Sequence, residues 1–401
     1  MTKAIYKVGV IGGGTMGRGI ALLISQKGIP VVIKEVNREL ADKSLRSVHE
    51  KLDLAVARGK LMSDTAEVAK GLVSATADFE DISDVDLVIE AVFENLEVKR
   101  SLFSNADKLI NPDAIFATNT SSLSISEIMS VTLRPDKFIG MHFFNPPITM
   151  PLVELISGQR TSEGTLCTVE NFAKDSLGKI TIRVKECPAF LVNRLLMPYL
   201  NEATFLLTDT CLSVEEIDQK AGQFGWPMGP FLLLDYLGID IASDVAGVCY
   251  AGYGERAKPA PLMNKLVQLG RLGNKSGAGF YVNDTTKQFE SLSVVLEKEY
   301  SSRKSVSIDD GFRRMMVGMV NEAFLCLEEG VSSADEVETG CLYGIGFPMA
   351  LEGPLHWAEK EGLINILKDL KRFEKECGVR FKPAKLLEKY VAGRTRIFES
   401  W

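Results

Sequence analysis

The stretch GGGTMG at residues 12–17 decides the fold of the first part of the chain. It directly follows an apolar, β-branched run at residues 5–11 and opens an amphipathic stretch, so the predicted order is strand, glycine turn, helix. In that setting Gly12 makes the tight turn, Gly14 lets a pyrophosphate approach the backbone, and Gly17 permits close packing of helix on strand. The motif predicts a dinucleotide-binding unit. Its predicted phosphate-binding residues are Gly12, Gly14, Thr15, Met16 and Gly17.

The second strand of this unit ends at Glu35, 18 residues beyond the last glycine of the motif. An acidic side chain at this place can accept hydrogen bonds from ribose hydroxyls and repel a 2′-phosphate, which favours NAD over NADP. Lys34 and Arg38 flank Glu35 and could hold a 2′-phosphate, so the preference between the two cofactors stays open here. The alternative, a glycine turn beside a solvated glutamate, is disfavoured because strand, glycines, helix and acid occur in order.

The first third of the chain alternates β-branched runs with amphipathic stretches, as is typical of an α/β fold with a doubly wound parallel sheet of the Rossmann type. Residues 38–71 interrupt this spacing and predict an inserted helical hairpin. Beyond residue 185 the strand pattern stops and a helical pattern begins. The predicted strands are residues 5–11, 31–33, 87–89, 115–117, 138–141, 153–157 and 180–184, and the first predicted helix is 16–26.

The helical part of the chain repeats itself. The triplet NEA at residues 201–203 recurs 120 residues later at 321–323, and GWPM at 225–228 recurs as GFPM at 346–349, each followed by Gly-Pro. These motifs recur in the same order at nearly the same offset, 120 and 121 residues, which predicts a duplicated helical unit. The polar residues 283–310 would connect the two copies. We therefore predict a nucleotide-binding domain at 1–185, a first helical copy at 186–290 and a second, degenerate copy at 291–401.

Composition restricts the classes of function. The 401 residues are 46% hydrophobic and 25% charged, as in folded globular domains. A formal net charge of −7 provides no basic field for nucleic acid or an anionic membrane. Seven cysteines without a CxxC pair predict reduced, mostly buried thiols, no disulfides and no metal site. No apolar stretch is long enough for a membrane span, and a strand this close to Met1 leaves no room for a targeting peptide, so we expect a cytoplasmic protein.

His142 and Glu154 are the candidates for acid–base chemistry. His142 follows an apolar strand within MHFFNP, and ligands of open α/β sheets bind at the carboxyl ends of strands. Imidazole exchanges protons near neutral pH, which suits a general base. Glu154 lies twelve residues later in another strand-like run, close enough in a compact fold to hydrogen-bond and orient the ring. The alternative is that His142 is a structural histidine of the core and that Glu154 is a surface carboxylate.

Two further polar sites interrupt apolar surroundings. The turn NTSS at residues 119–122 follows a predicted strand and can offer a hydroxyl to a substrate, although Ser and Thr also cap helices and residues 123–130 could form one. Asn193 lies within an apolar helical stretch, so its amide needs either a structural partner or a ligand.

The chain resembles the L-3-hydroxyacyl-CoA dehydrogenases of fatty-acid β-oxidation. The resemblance covers residues 4–282, and the duplicated tail is similar to the dehydrogenase part of the multifunctional β-oxidation enzymes, without their hydratase/isomerase half. It implies a Rossmann domain followed by two tandem all-α domains, NAD as cofactor, and an acyl-CoA thioester bound between the nucleotide and helical domains. The motifs that carry it are GGGTMG, VFENLEVK, NTSS, HFFNP, FLVNRLL, GWPMGPFLLLDYLG and GNKSGAGFY.

The resemblance also implies roles for individual residues. It makes His142 the base that takes the C3 hydroxyl proton and Glu154 its orienting partner, while Ser121 and Asn193 hold the substrate oxygen. On the NAD side of the cleft it places Glu94, Lys99, Asn145 and Lys275.

Two regions depart from the family's usual pattern. Lys51 and Arg58 in the helical hairpin occupy the positions that contact CoA, where a serine and a lysine are usual. The segment PITM at 147–150, directly after HFFNP, differs from common versions and leaves the preferred acyl length open.

Single-copy members of this family pair through their helical domains, and a duplicated unit can satisfy such a surface within one chain. We expect residues 311–401 to pack on the first copy as an internal pseudo-dimer partner, in a monomer or a homodimer, and other β-oxidation enzymes are candidate partners. At the offset of 120, Asn193 falls on Arg313, so we expect one active site per chain.

Two other functions remain open on the sequence alone. One is a dehydrogenase of a free hydroxy or sugar acid on the same scaffold, in the manner of the crystallin-like gulonate dehydrogenases. The other is a non-catalytic NAD-binding protein. The duplicated tail and GWPMGPF favour an acyl-CoA substrate, and the joint presence of His142, Glu154, Ser121 and Asn193 favours catalysis.

Overall fold

The structure is a computed structural model that describes residues 4–284, 286, 289–300 and 302–398. The chain divides into two units, Met1–Phe190 and Leu191–Trp401. The strands of the first unit are β1 (Val8–Ile11), β2 (Val31–Lys34), β3 (Val73–Thr76), β4 (Leu87–Glu90), β5 (Ile115–Thr118), β6 (Phe138–Phe143), β7 (Leu152–Ser157) and β8 (Ile180–Lys185).

These strands form one sheet in the order β3-β2-β1-β4-β5-β6-β7-β8. The predicted Rossmann-type sheet is confirmed, with one correction: β6 and β7 are antiparallel, whereas all the other pairs are parallel. The loop of residues 144–151 between them is too short for the crossover helix that a parallel pair requires. The edge strand β3 was missed because its sequence, VSAT, is short and half polar.

Along the chain, the helices of the first unit connect these strands. The inserted hairpin predicted at residues 38–71 is present as two helices, and the first of them begins after Asn37, whose side chain accepts a hydrogen bond from the Leu40 N–H. The core between sheet and helices is apolar, with Val10 of the first strand and Ile20 of the first helix fully buried. The helices are α1 (Thr15–Gln26), α2 (Arg38–Ala57), α3 (Ser63–Gly71), α4 (Leu96–Leu109), α5 (Ile125–Met129) and α6 (Glu163–Asn171).

The second unit is helical. Its helices are α7 (Val192–Asp209), α8 (Val214–Phe224), α9 (Pro230–Leu237), α10 (Ile239–Tyr253), α11 (Pro261–Gln268), α12 (Leu292–Glu299), α13 (Ile308–Glu328), α14 (Ala334–Gly340), α15 (Pro354–Glu361), α16 (Leu363–Cys377) and α17 (Lys385–Gly393). The segment 283–310, which we predicted as a polar connection, contains α12 and the start of α13; Val295 and Leu296 are buried and stabilise α12. Across the described residues, no helix has the length and apolarity needed to cross a membrane.

Equivalent residues of the two sequence repeats make equivalent contacts in this unit. The Asn201 side-chain amide donates to the Lys258 carbonyl at 2.9 Å, and the Asn321 amide donates to the Lys382 carbonyl at 2.9 Å. The helices that carry these asparagines, α7 and α13, pack against each other. The structure thus agrees with a duplication inside the second unit, while the boundaries that we gave to the two copies stay predictions.

The two repeats also meet reciprocally at their glycine turns. Gly225 and Gly346 both have positive φ, at 112° and 74°. A Cβ atom added to Gly225 would lie 3.2 Å from Pro348, and one added to Gly346 would lie 3.0 Å from Pro227. Each glycine therefore faces the proline that follows the other, which is the pattern of a two-fold, isologous contact.

All seven cysteines lie among the described residues, and none of them is in a disulfide. The expectation that most are buried is wrong, because four of them reach the surface at least partly. The buried thiols are Cys249, Cys326 and Cys341, and the others are Cys167, Cys187, Cys211 and Cys377.

Candidate active site

His142 and Glu154 lie directly opposite each other on the antiparallel strands β6 and β7. Directly opposed residues project their side chains to the same face, and the distance from His142 Nδ1 to Glu154 Oε2 is 2.6 Å. The two side chains are only 6% and 0% exposed. A carboxylate can only accept a hydrogen bond, so Nδ1 carries the proton and Nε2 remains to exchange a proton with a ligand.

Neighbouring side chains hold the loop after His142. Asn119 Oδ1 accepts a hydrogen bond from the Phe143 N–H at 2.8 Å, which ties the end of β6 to the turn after β5. Lys179 Nζ donates to the carbonyls of Pro147 and Met150 at 2.5 and 2.7 Å, and burial lowers the pKa of Lys179 to about 8. No sequence pattern indicates Lys179, because its partners are backbone atoms distant in the chain.

Glu94 organises the turn that carries Ser121. Its Oε1 accepts hydrogen bonds from the Thr120 hydroxyl and from the Ser121 N–H, the latter at 2.9 Å. Burial by itself would raise the pKa of Glu94, but the Lys99 ammonium and these donors outweigh it and hold the pKa below its ordinary value. The predicted residues Glu94 and Ser121 are therefore neighbours, and the Glu94 carboxylate stays ionised.

Lys99 is a buried cation rather than a surface one. Its side chain is 1% exposed, and Nζ lies 2.7 Å from Glu90 and 3.2 Å from Glu94. The Glu90 carboxylate also accepts a hydrogen bond from the Thr118 hydroxyl at 2.5 Å. Sequence analysis missed Glu90, which directly follows the predicted strand 87–89 and is the last residue of β4 in the structure. The assignment of Lys99 to the NAD side stays a prediction, and its contacts with two glutamates indicate that it supports Glu94.

The glycine turn after β1 has the shape of a phosphate cradle. Gly12 has a φ of 99°, and a Cβ there would lie 2.8 Å from the Ala91 carbonyl oxygen, so only glycine fits. A Cβ on Gly14 would meet no atom within 4 Å, which leaves open space beside the N-terminus of α1. Thr15 and Met16 form the first turn of that helix. Open space at a helix N-terminus is what a pyrophosphate requires, so the residues present fit NAD.

Glu35 is held at the rim of this cradle. Its Oε1 accepts a hydrogen bond from the Gly13 N–H at 2.8 Å. The two flanking cations point to other partners: Lys34 Nζ lies 4.2 Å from the centre of the Phe79 ring, and Arg38 Nε lies 3.0 Å from Asp42. A carboxylate at this place favours ribose hydroxyls over a 2′-phosphate.

Alanine substitutions at Gly14 and Gly17 are expected to separate cofactor binding from folding. A Cβ on Gly17 would lie 1.8 Å from the Gly12 carbonyl oxygen, so Gly17→Ala should lower the free energy of unfolding by about 1–3 kcal/mol or more. Gly14→Ala has room for its methyl group, so thermal stability should be kept while the Kd for NADH rises about tenfold. Thermal melts and fluorescence titration measure both; a destabilised Gly14→Ala that binds NADH normally would contradict the cradle.

The remaining predicted residues lie on other segments of the chain. Asn145 is exposed in the loop after β6, and Lys51 and Arg58 are exposed on α2 and directly after it. Asn193 and Lys275 belong to the second unit, where Asn193 lies in the first turn of α7 and the Lys275 ammonium pairs with Asp240 at 2.5 Å. Within the first unit, His142 contacts Glu154, and Glu94 contacts both Ser121 and Lys99.

Comparison with family models gives the identity of both units. The model described as the NAD binding domain of 3-hydroxyacyl-CoA dehydrogenase matches residues 7–187, and the model of its C-terminal domain matches residues 190–283 and 312–395. The chain belongs to the 3-hydroxyacyl-CoA dehydrogenase family. The predicted family is thus confirmed, and the first unit is its NAD-binding domain, with NAD as the cofactor.

Individual members of the 3-hydroxyacyl-CoA dehydrogenase family are similar over different lengths. The fatty acid oxidation complex subunit alpha of Shewanella sp. (strain MR-7) is 35% identical over 404 residues, which cover 99% of this chain and 57% of that protein. The chain thus spans little more than half the length of this relative. The 3-hydroxybutyryl-CoA dehydrogenase of Escherichia coli K12 has a TM-score of 0.88 and 27% identity, and covers 97% of this chain and 99% of its own. The (S)-3-hydroxybutyryl-CoA dehydrogenase of Ralstonia eutropha has a TM-score of 0.68 and 39% identity, over 70% of this chain and 100% of its own.

Proposed function

We propose that the chain oxidises the C3 hydroxyl of (S)-3-hydroxyacyl-CoA thioesters to a ketone, with NAD as the hydride acceptor. The observation that carries the proposal is the buried hydrogen bond between His142 and Glu154 at the end of β6, in a chain of this family. A hydroxyl cannot lose a hydride from its carbon without also losing its proton, so the reaction requires a base at this oxygen.

The chemistry that NAD supplies when bound is acceptance of the hydride from C3. His142 Nε2 takes the proton of the C3 hydroxyl, while Glu154 holds the Nδ1–H and stabilises the imidazolium that forms. In the reducing direction the same nitrogen returns the proton to the oxygen. Ser121 and Asn193 are proposed to hold the substrate oxygen, and Glu94 keeps the Ser121 turn in place through the Ser121 N–H.

The acyl-CoA assignment is tested by measuring NADH absorbance with acetoacetyl-CoA, with free acetoacetate and with a keto sugar acid. We expect turnover with the thioester and a kcat/KM at least about a hundredfold lower with the free acids, because the CoA contacts are then lost. Comparable turnover of a free acid would favour the dehydrogenase of free hydroxy acids. Tight NADH binding without turnover of any of them would favour a non-catalytic protein.

Glu35 is expected to select NADH over NADPH. The carboxylate accepts ribose hydroxyls and repels a 2′-phosphate, so kcat/KM with acetoacetyl-CoA should be at least about tenfold higher with NADH. Glu35→Gln should narrow this ratio, because the amide keeps an acceptor oxygen but loses the charge. Measured kcat/KM values that favour NADPH in the unmodified chain would mean that Lys34 or Arg38 turns toward the cofactor.

We also propose that the second helical copy acts as an internal partner for the first, as in a two-fold dimer, and that the chain has one active site. Arg313 stands where the first copy has Asn193, and this supports a structural role for the second copy. Binding to other β-oxidation enzymes and a cytoplasmic location stay predictions. The chain covers only 57% of the fatty acid oxidation complex subunit, so the other activities of such complexes are not assigned to it.

A further inference from the structure

An ion-pair group around the buried Arg194 joins the first turn of α7 to α13. Arg194 Nε lies 2.6 Å from Glu322, and its NH1 lies 2.8 Å from Glu329. Arg256 pairs with the same two acids, at 3.0 and 3.2 Å. The Cζ atoms of Arg194 and Arg256 both lie over the ring of Tyr253, 4.3 and 4.6 Å from its centre. Two acids of the second copy thus fix two arginines of the first.

The same group occurs a second time with the copies exchanged. Arg314 forms ion pairs with Glu202 and, at 3.0 Å, with Asp209. Arg380 pairs with these acids at 2.8 and 3.5 Å. Arg314 and Arg380 lie 120 and 124 residues after Arg194 and Arg256, so the two groups are related by the sequence repeat.

The two groups differ in the residue that precedes the buried arginine. Arg194 follows Asn193, the amide that we propose to hold the substrate oxygen. Arg314 follows Arg313, whose guanidinium pairs with Asp369 at 2.8 Å. Only the first group therefore adjoins an amide with a proposed role in the reaction.

Strained backbone precedes α7. Ala189 and Phe190, just before it, have φ values of 62° and 56°, a left-handed conformation that costs energy in residues other than glycine. Leu191 at the N-cap has no polar side-chain atom with which to cap the first turn. Arg194 is 1% exposed and anchors this turn to α13.

We propose that Glu322 and Glu329 are positioning residues for the active site, which fix Asn193 through Arg194. The inference rests on the proposed function, since it requires that Asn193 contacts the substrate oxygen. The second copy then takes part in the reaction at the active site of the first copy. It has no amide equivalent to that of Asn193, but its two glutamates hold the helix turn that carries Asn193.

The repeat supplies a matched control for each acid. Glu322 and Glu202 are 12% and 4% exposed, and Glu329 and Asp209 are 41% and 42% exposed. Breaking a buried ion pair is strongly destabilising in either group, so stability alone does not test the proposal. Activity does, because only one group lies beside Asn193.

The first experiment compares Glu322→Gln with Glu202→Gln in the full chain. We expect similar losses of Tm, no change in the Kd for NADH, and a kcat for acetoacetyl-CoA about tenfold lower in Glu322→Gln but within about twofold of the unmodified chain in Glu202→Gln. Because Glu329 and Asp209 are partly exposed, Glu329→Gln and Asp209→Asn give the same comparison with milder effects on folding. Equal activity losses within each pair would overturn the proposal.

A double-mutant cycle with Asn193→Ala is the second experiment. If Glu322 acts through Asn193, Glu322→Gln should lower kcat no further once Asn193 is alanine. If Glu322→Gln still lowers kcat about tenfold in the Asn193→Ala chain, the inference is overturned, whereas the proposed function is unaffected. An unmodified chain without turnover of acetoacetyl-CoA would instead overturn the proposed function, and the inference with it.

Discussion

Replacing His142 by glutamine is expected to lower kcat for the NADH-dependent reduction of acetoacetyl-CoA by about 10²–10⁴-fold. Glutamine fills a similar volume and can hydrogen-bond to Glu154, but its amide cannot give or take a proton near neutral pH. The Kd for NADH should stay within about twofold of its original value, because the glycine turn and Glu35 are unchanged. Steady-state kinetics and fluorescence titration measure the two quantities separately.

The chain offers its own control for this substitution. In the second unit, His356 Nδ1 lies 3.0 Å from the Glu338 carboxylate, so His356→Gln removes an imidazole from a similar pair. The kcat of His356→Gln should stay near that of the unmodified chain. In contrast, Glu154→Gln should lower kcat strongly and affect ligand binding less. Activity of His142→Gln within a few-fold of the original would remove His142 from the mechanism.

Deleting residues 308–401 is expected to make the shortened chain associate or precipitate. The deletion starts at the first residue of α13, so α7 loses the helix against which it packs, and the contact of Phe224 with Phe312 is lost. Loss of α13 exposes the apolar surface of α7, and exposed apolar surface favours association. The shortened chain should therefore dimerise through α7 or precipitate. The buried apolar residues removed with α13 are Phe312, Met315, Met316, Val317, Met319, Val320, Ala323 and Phe324.

Light scattering and analytical ultracentrifugation on both chains decide this prediction. NADH titration of the same samples counts cofactor sites and serves as the control for the first unit, which should still bind one NADH per chain after the deletion. A shortened chain that stays monomeric, soluble and equally stable would contradict the internal-partner proposal. Two cofactors per full-length chain would contradict the single active site.

The parts of the fold that sequence analysis predicted are those with a local pattern. The apolar run and glycines around Gly12, and the run that ends near His142, each fit within about a dozen residues, so their periodicity was readable. The edge strand β3 and the helix α12 were missed because their sequences are short and partly polar, and only tertiary contacts stabilise them there.

The same distinction applies to the site. His142 and Glu154 were predictable as a pair because two neighbouring apolar strands carried them. Lys179 and Glu90 were not, since one bonds to backbone carbonyls and the other to a lysine on a helix, and neither contact leaves a spacing in the sequence. The ion pairs between α7 and α13 do correspond to a pattern in the sequence, because Arg194 and Arg314 are separated by 120 residues, as the two NEA triplets are.

The reciprocal contacts inside the second unit have a genetic consequence. In a symmetric dimer of identical chains, one codon supplies both sides of a two-fold contact, so every substitution occurs twice. Here each side has its own codon, and the sides have diverged: Asp209 in one ion-pair group corresponds, at an offset of 120, to Glu329 in the other. A duplicated chain can therefore alter the ion pairs next to Asn193 without altering their counterparts in the other half of the interface.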